Sequence, residues 1–170
     1  MNAQCTGLSV SAQLVLTASH CVGLVGDAVT LVWMKNRSLT RVGRVVHDVP
    51  RTDYACVRLF YPVPRWYWIT GTRQASQGEK LWGYTASLGL LGWEAEAWVE
   101  GIFDQVRASG PRRVMVLRAV AYPGASGAIF WDASGGPQMM LTHGLLEQTP
   151  PLVMGPTADQ LTCGAEVIGR

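Results

Sequence analysis

Three stretches of the chain hold side chains suited to nucleophilic chemistry. The first is Leu14-Val15-Leu16-Thr17-Ala18-Ser19-His20-Cys21, an apolar run that passes through small residues into a histidine. An imidazole titrates near neutral pH, so it can take and return a proton during a reaction. The second is Thr52-Asp53-Tyr54-Ala55-Cys56-Val57-Arg58-Leu59, with a carboxylate at the head of an apolar alternation. A buried carboxylate beside an imidazole holds one tautomer and stabilises the imidazolium formed in reaction. Asp48 is the rival carboxylate, but Pro50 follows it and no matching strand pattern does. The third is Tyr122-Pro123-Gly124-Ala125-Ser126-Gly127-Ala128-Ile129-Phe130. Its glycines let the backbone turn tightly, so that the Ser126 hydroxyl and the N–H groups of Gly124 and Ser126 face one point. Such a pair of N–H groups forms an oxyanion hole, worth ~3 kcal/mol to a transition state. Each stretch alone is a weak signal, because lone histidines are usually structural and glycine–serine turns are common.

Together the stretches resemble the trypsin and chymotrypsin family. His20-Cys21 sits where that family has Thr-Ala-Ala-His-Cys. Asp53 opens a strand like the family's aspartate, and Gly124-Ala125-Ser126-Gly127 is similar to its nucleophile loop. The order His, Asp, Ser is also the family's, whereas α/β-hydrolases and subtilisins use other orders. The resemblance covers most of the chain, from about Cys5 to Leu146. It implies a serine endopeptidase with His20, Asp53 and Ser126 as its triad, an oxyanion hole from Gly124 and Ser126, and an acyl-enzyme intermediate. It implies no cofactor and no metal. It also implies a disulfide between Cys5 and Cys21, 16 positions apart, which a reducing cytosol would leave as two thiols.

The chain departs from the digestive members of the family. Ala125 replaces the aspartate that pairs with a newly cut N-terminus, so that activation switch is excluded. Val120 stands where trypsin-like enzymes hold an acidic residue, so a basic P1 side chain is disfavoured. Val120, Ala121 and Tyr122 suit an apolar P1 group equally well. Glu147 falls near the position where the family keeps a small polar residue beside the triad aspartate. Ala125-Ser126-Gly127-Ala128-Ile129-Phe130-Trp131 is closest in style to proteases of positive-strand RNA viruses (sobemovirus, polerovirus and astrovirus), which process polyproteins. A bacterial or phage trypsin-like peptidase is the alternative, as is a self-cleaving structural protein of the same fold. In the viral group a histidine after the serine reads a P1 Glu or Gln. His143 is the candidate here, but turn-to-turn counting puts it about three residues early, which favours a structural histidine.

The elements that must position these residues read as short strands separated by turns, the pattern of an all-β barrel or sandwich. Strands are expected over Leu8–Thr17 (a pair turning at Ser11-Ala12-Gln13), Ala28–Met34, Val42–Val49 and Tyr54–Phe60. Tyr61-Pro62-Val63-Pro64-Arg65 opens a linker that runs to about Gln77. Further strands are expected over Lys80–Tyr84, Trp93–Phe103, Arg113–Val120, Ala128–Trp131 and Met139–Leu146, with a hairpin turn at Ser134-Gly135-Gly136-Pro137. Thr157 is expected to cap a short C-terminal helix at Ala158-Asp159-Gln160-Leu161. With the resemblance, this becomes two antiparallel six-stranded β-barrels. The first spans 1–70, carries His20 and Asp53, and is short of its N-terminal strand; the second spans 78–170 and carries Ser126.

Composition sets outer limits. The chain has 170 residues, 48% hydrophobic and 15% charged, which excludes a disordered chain. A net charge of +2 gives no strong electrostatic argument for nucleic acid; the cluster of Lys35, Arg37, Arg41 and Arg44 is expected to be a solvated strand face or loop, with RNA contact as the alternative. No stretch reaches the ~18 apolar residues of a membrane span. The start, Met1-Asn2-Ala3-Gln4-Cys5, lacks the basic head and apolar run of a secretory signal, as expected of a cytosolic protein or of a piece cut from a precursor. The implied partner is a polypeptide substrate, with the chain's own precursor among the options. Of the four cysteines, Cys56 is expected to be buried and inert, and Cys163 has no evident role. No spacing suits a structural zinc site.

Overall fold

A computed structural model describes residues 4–33, 39–67, 73–85, 93–108, 110–120, 124–145, 147 and 149–163. Among them the chain is all-β, as two antiparallel sheets. The first sheet contains β1 (Leu8–Ser11), β2 (Leu14–Thr17), β3 (Ala28–Val32), β4 (Thr40–Val49) and β5 (Tyr54–Leu59), in the order β1-β2-β5-β4-β3. The second contains β6 (Lys80–Thr85), β7 (Trp93–Arg107), β8 (Gly110–Arg118), β9 (Ile129–Trp131), β10 (Pro137–Met140), β11 (His143–Leu145) and β12 (Leu152–Pro156), in the order β10-β9-β6-β7-β8-β12-β11. This is the two-barrel, chymotrypsin-like fold. The described strands divide five and seven rather than six and six.

The strand pattern follows from burial. β2 is buried along its whole length, and β5 exposes only Arg58, so both read as continuous apolar runs at the centre of their sheet. β4, on the other side of β5 from β2, alternates instead, with Val45 buried between exposed Arg44 and Val46. A register shift between Val45 and His47 and another between Val99 and Gly101 bend the long strands β4 and β7.

Three cores result. Val15, Val45, Val57 and Leu59 fill the first sheet. Leu81, Val99, Met115, Leu117, Phe130 and Val153 fill the second. The third core joins the two, packing Val10, Leu16 and Tyr54 from the first sheet against Ile129 and Met140 from the second and Leu161 from the segment after β12. Each such large side chain contributes roughly 1.5–3 kcal/mol on burial. This junction is what fixes Ser126 relative to His20 and Asp53.

Three expectations need correcting. The single strand expected over Met139–Leu146 is two, β10 and β11. Leu141 breaks the run by bonding back to the loop that carries Ser126: its N–H donates to the Ala128 carbonyl and its carbonyl accepts from the Gly127 N–H. β12 was not expected at all, yet it pairs with both β8 and β11. The C-terminal helix is only a 3-10 turn over Ala158–Gln160, and the Thr157 side chain makes no capping bond there. On the open side of the first sheet lies a cavity of about 590 Å³, lined among others by Val15, Leu31, Leu59 and Trp131. None of His20, Asp53 or Ser126 lines it.

Candidate active site

His20 enters the junction on a 3-10 turn, Ser19–Cys21, at the end of β2. Thr17 and Ala18, both buried, anchor that turn, and the Cys21 N–H closes it on the Ala18 carbonyl at 3.1 Å. The imidazole itself remains 44% exposed.

Asp53 sits in the turn between β4 and β5 with its side chain 5% exposed. Its φ is +67°, a left-handed conformation that aspartate tolerates better than most residues but that still costs ~1 kcal/mol or more. The surroundings hold it there. Its N–H donates to the Val49 carbonyl at 2.8 Å and its own carbonyl accepts from the Ser19 N–H at 3.2 Å. The conformation aims both carboxylate oxygens at one residue: Oδ1 accepts from the His20 backbone N–H at 3.0 Å, and Oδ2 lies 2.9 Å from His20 Nδ1. A carboxylate can only accept, so Nδ1 carries the proton and Nε2 is left with a free lone pair. Asp48, the rival carboxylate, instead accepts from the Ser19 hydroxyl.

Ser126 Oγ lies 3.1 Å from His20 Nε2 and 3.4 Å from the Thr142 carbonyl. Its loop needs glycine: Gly124 and Gly127 have φ of +104° and +97°. A third segment pins the loop. The Thr6 hydroxyl donates to the Gly124 carbonyl at 2.8 Å and the Thr6 N–H to the Ser126 carbonyl at 2.8 Å. The Thr6 carbonyl in turn accepts from the Thr17 hydroxyl at 2.9 Å. Sequence reading missed Thr6, and only its neighbour Cys5 hinted at the segment.

The expected Cys5–Cys21 disulfide is present, with Cα atoms 6.2 Å apart. It ties the Thr6 segment to the His20 turn. Cys56 and Cys163 are not an inert thiol and an idle one; they form a second disulfide, Cα–Cα 5.9 Å, that staples β5 to the end of the described chain. Two cysteines 107 positions apart carry no local sign of pairing. They meet only because Leu161 and Cys163 fold into the core that joins the sheets.

The place beside Asp53 belongs to His143, and Glu147 is exposed. His143 Nδ1 lies 3.9 Å from Asp53 Oδ2, and its ring is 5.8 Å from that of His20. The Thr142 hydroxyl lies 2.8 Å from the same Nδ1. Val120 is half exposed. Ala121 and Tyr122 lie outside the described residues, as do Lys35 and Arg37 of the basic cluster. Among the described residues no group of histidine, cysteine and acidic side chains is arranged to hold a metal, and no helix is long and apolar enough to cross a membrane.

The family profile described as the trypsin-like peptidase domain matches residues 5–136. The chain belongs to this family. It is a serine endopeptidase by that membership, and its sheets superpose on solved structures of the same fold. The inactive form of the Rv3671c protease aligns with a TM-score of 0.77 at 18% identity, covering 91% of this chain and 78% of that one. A second structure of Rv3671c, from Mycobacterium tuberculosis H37Rv, is a Ser343Ala mutant and aligns at 0.78 and 18%. The MamO protease domain of Magnetospirillum magneticum aligns at 0.71 and 13%, covering 94% and 88%. The serine endoprotease of Yersinia pestis aligns at 0.72 and 14%, covering 92% of this chain and 54% of that one. A search of curated proteins found no match. At these identities the solved structures speak to the fold of this trypsin-like peptidase and not to its substrate.

Proposed function

We propose that this trypsin-like peptidase cleaves polypeptides through His20, Asp53 and Ser126. The observation that carries the reading is the unbroken chain of contacts from Asp53 Oδ2 to His20 Nδ1 and from His20 Nε2 to Ser126 Oγ, at 2.9 and 3.1 Å. His20 takes the Ser126 proton as Oγ attacks the scissile carbonyl, and later gives it to the leaving amine. Asp53 stabilises the imidazolium between those steps. The N–H groups of Gly124 and Ser126 receive the oxyanion, on a loop whose two carbonyls are held by Thr6.

β11 supplies the binding edge. It is the terminal strand of the second sheet, exposed along its length, and it begins at His143 beside the triad. An extended substrate segment adds to such an edge through main-chain hydrogen bonds. His143, half exposed and next to Asp53, lies at the start of this edge. Val120 and the absence of an acidic residue at its position favour an uncharged P1 side chain.

The fold neighbours named above come from bacteria, which favours the bacterial or phage peptidase over a viral polyprotein role. The test is cleavage of a peptide library by wild type, Ser126→Ala and His20→Ala. Loss of cleavage in both variants, with wild-type cuts after uncharged residues, is expected. Full activity in either variant overturns the triad.

A further inference from the structure

Arg112 is a charged residue in β8 that is only 4% exposed. Its Nε donates to Gln105 Oε1 at 2.8 Å, across the β7–β8 ladder. Its Nη1 donates to the Thr52 carbonyl at 3.0 Å, across the junction between the sheets. Thr52 is itself buried and immediately precedes Asp53. The peptide that Arg112 grips is therefore the one leading into the left-handed aspartate. A second contact brings the same strand end to the same turn. The Arg51 side chain packs so closely on Gly110 that a Cβ at that glycine would meet Arg51 Cδ at 2.7 Å.

We propose that Arg112 is a positioning residue for the triad, reaching from the second sheet to hold the Thr52–Asp53 peptide so that the carboxylate faces His20. Through the Thr52 carbonyl it acts on the turn that carries Asp53. The chemistry of the guanidinium suits the task. Its planar fork gives one donor to Gln105 and another to Thr52 in a fixed relation, which a lysine ammonium cannot reproduce. The strained φ of Asp53 persists only where neighbours over-determine it, and the other sheet contributes Arg112 on the backbone side and His143 on the carboxylate side. The consequence is coupling between halves: the sheet that carries Ser126 also sets the geometry of the acid on the opposite one.

This inference rests on the proposed triad, and a double-mutant cycle separates the two. The variants are Arg112→Met, Asp53→Asn and both together, and methionine is chosen because it keeps a flexible apolar stem while removing both donors. The readouts are kcat and KM for p-nitrophenyl acetate, with near-ultraviolet circular dichroism as the check on folding. Arg112→Met is expected to lower kcat about 10- to 100-fold, the cost of misplacing a catalytic group by about an ångström, with KM nearly unchanged. In the Asp53→Asn background the same substitution is expected to change kcat less than about twofold, because its effect runs through the carboxylate. An unchanged kcat in Arg112→Met, or equal losses in both backgrounds, overturns the proposal. Should Arg112→Met not fold, the cycle is run with Arg112→Lys, which retains the charge and loses the fork, under the same criteria. Full activity in Asp53→Asn alone would instead refute the triad, leaving no acid for Arg112 to position.

Discussion

The Thr6 hydroxyl donates to the carbonyl of Gly124 at 2.8 Å, across 118 positions of sequence. It joins the segment ahead of β1 to the loop that presents the nucleophile. Thr6→Val removes the donor at similar volume and leaves the Gly124 carbonyl without that bond, at a cost of ~1–3 kcal/mol. Part of that cost should fall on the oxyanion geometry. The expected result is lower kcat with KM nearly unchanged, and recovery in Thr6→Ser, measured by steady-state hydrolysis. Equal activity in all three proteins would show that the loop holds itself.

Gly127 has φ of +97°, and a Cβ there would collide with the Thr6 carbonyl oxygen. Gly127→Ala is therefore expected to destabilise by more than ~1 kcal/mol, through both strain and displacement of Thr6. Urea unfolding measures it. By contrast Gly135, also at positive φ, meets nothing within 4 Å. Gly135→Ala should thus show only the smaller conformational cost, and the ranking of the two variants is the check.

The two disulfides should differ in strength. In the chain-entropy view a closed loop of ~15 residues contributes about 3 kcal/mol and one of ~100 residues about 4.7 kcal/mol. Cys5–Cys21 spans 16 positions and Cys56–Cys163 spans 107. Replacing each pair by alanines and measuring urea unfolding should show the larger loss for Cys56–Cys163. Activity should fall more for Cys5–Cys21, whose partners flank Thr6 and His20.

Asp132 lies in the β9–β10 turn with its side chain fully buried. Burial pushes its carboxyl up, but the Gly136 N–H, the Ser134 hydroxyl and N–H, and Arg73 together outweigh that and hold it below the ordinary aspartate value of 3.8. A carboxyl depressed in the folded state stabilises above its unfolded value and loses that contribution as pH falls through the folded one. Asp132→Asn should therefore be less stable than wild type at pH 7. The gap should close as pH drops below about 3.8. Urea midpoints between pH 7 and pH 3 test this, and a gap independent of pH would contradict it.

The three side chains that meet between the sheets were legible because each sits in a local pattern. His20 ends an apolar strand, Asp53 begins one, and Ser126 lies between glycines that its turn requires. Most strands were legible for the same reason, since burial writes itself as apolar runs or alternation. What escaped was non-local. Cys163 needed the chain to return to β5, and Thr6 needed a loop more than a hundred positions away. β12 is only a short apolar run closed by Gly155 and Pro156, and it is a strand through pairing on both sides. Arg112 is a surface residue by type and a buried one by position.

The most direct test is to map the adduct formed by a fluorophosphonate probe on the native protein. Mass spectrometry should find one phosphonylated residue, Ser126, with labelling abolished in Ser126→Ala and greatly slowed in His20→Ala. An adduct on another residue, or undiminished labelling of a folded Ser126→Ala protein, would contradict the account at its centre.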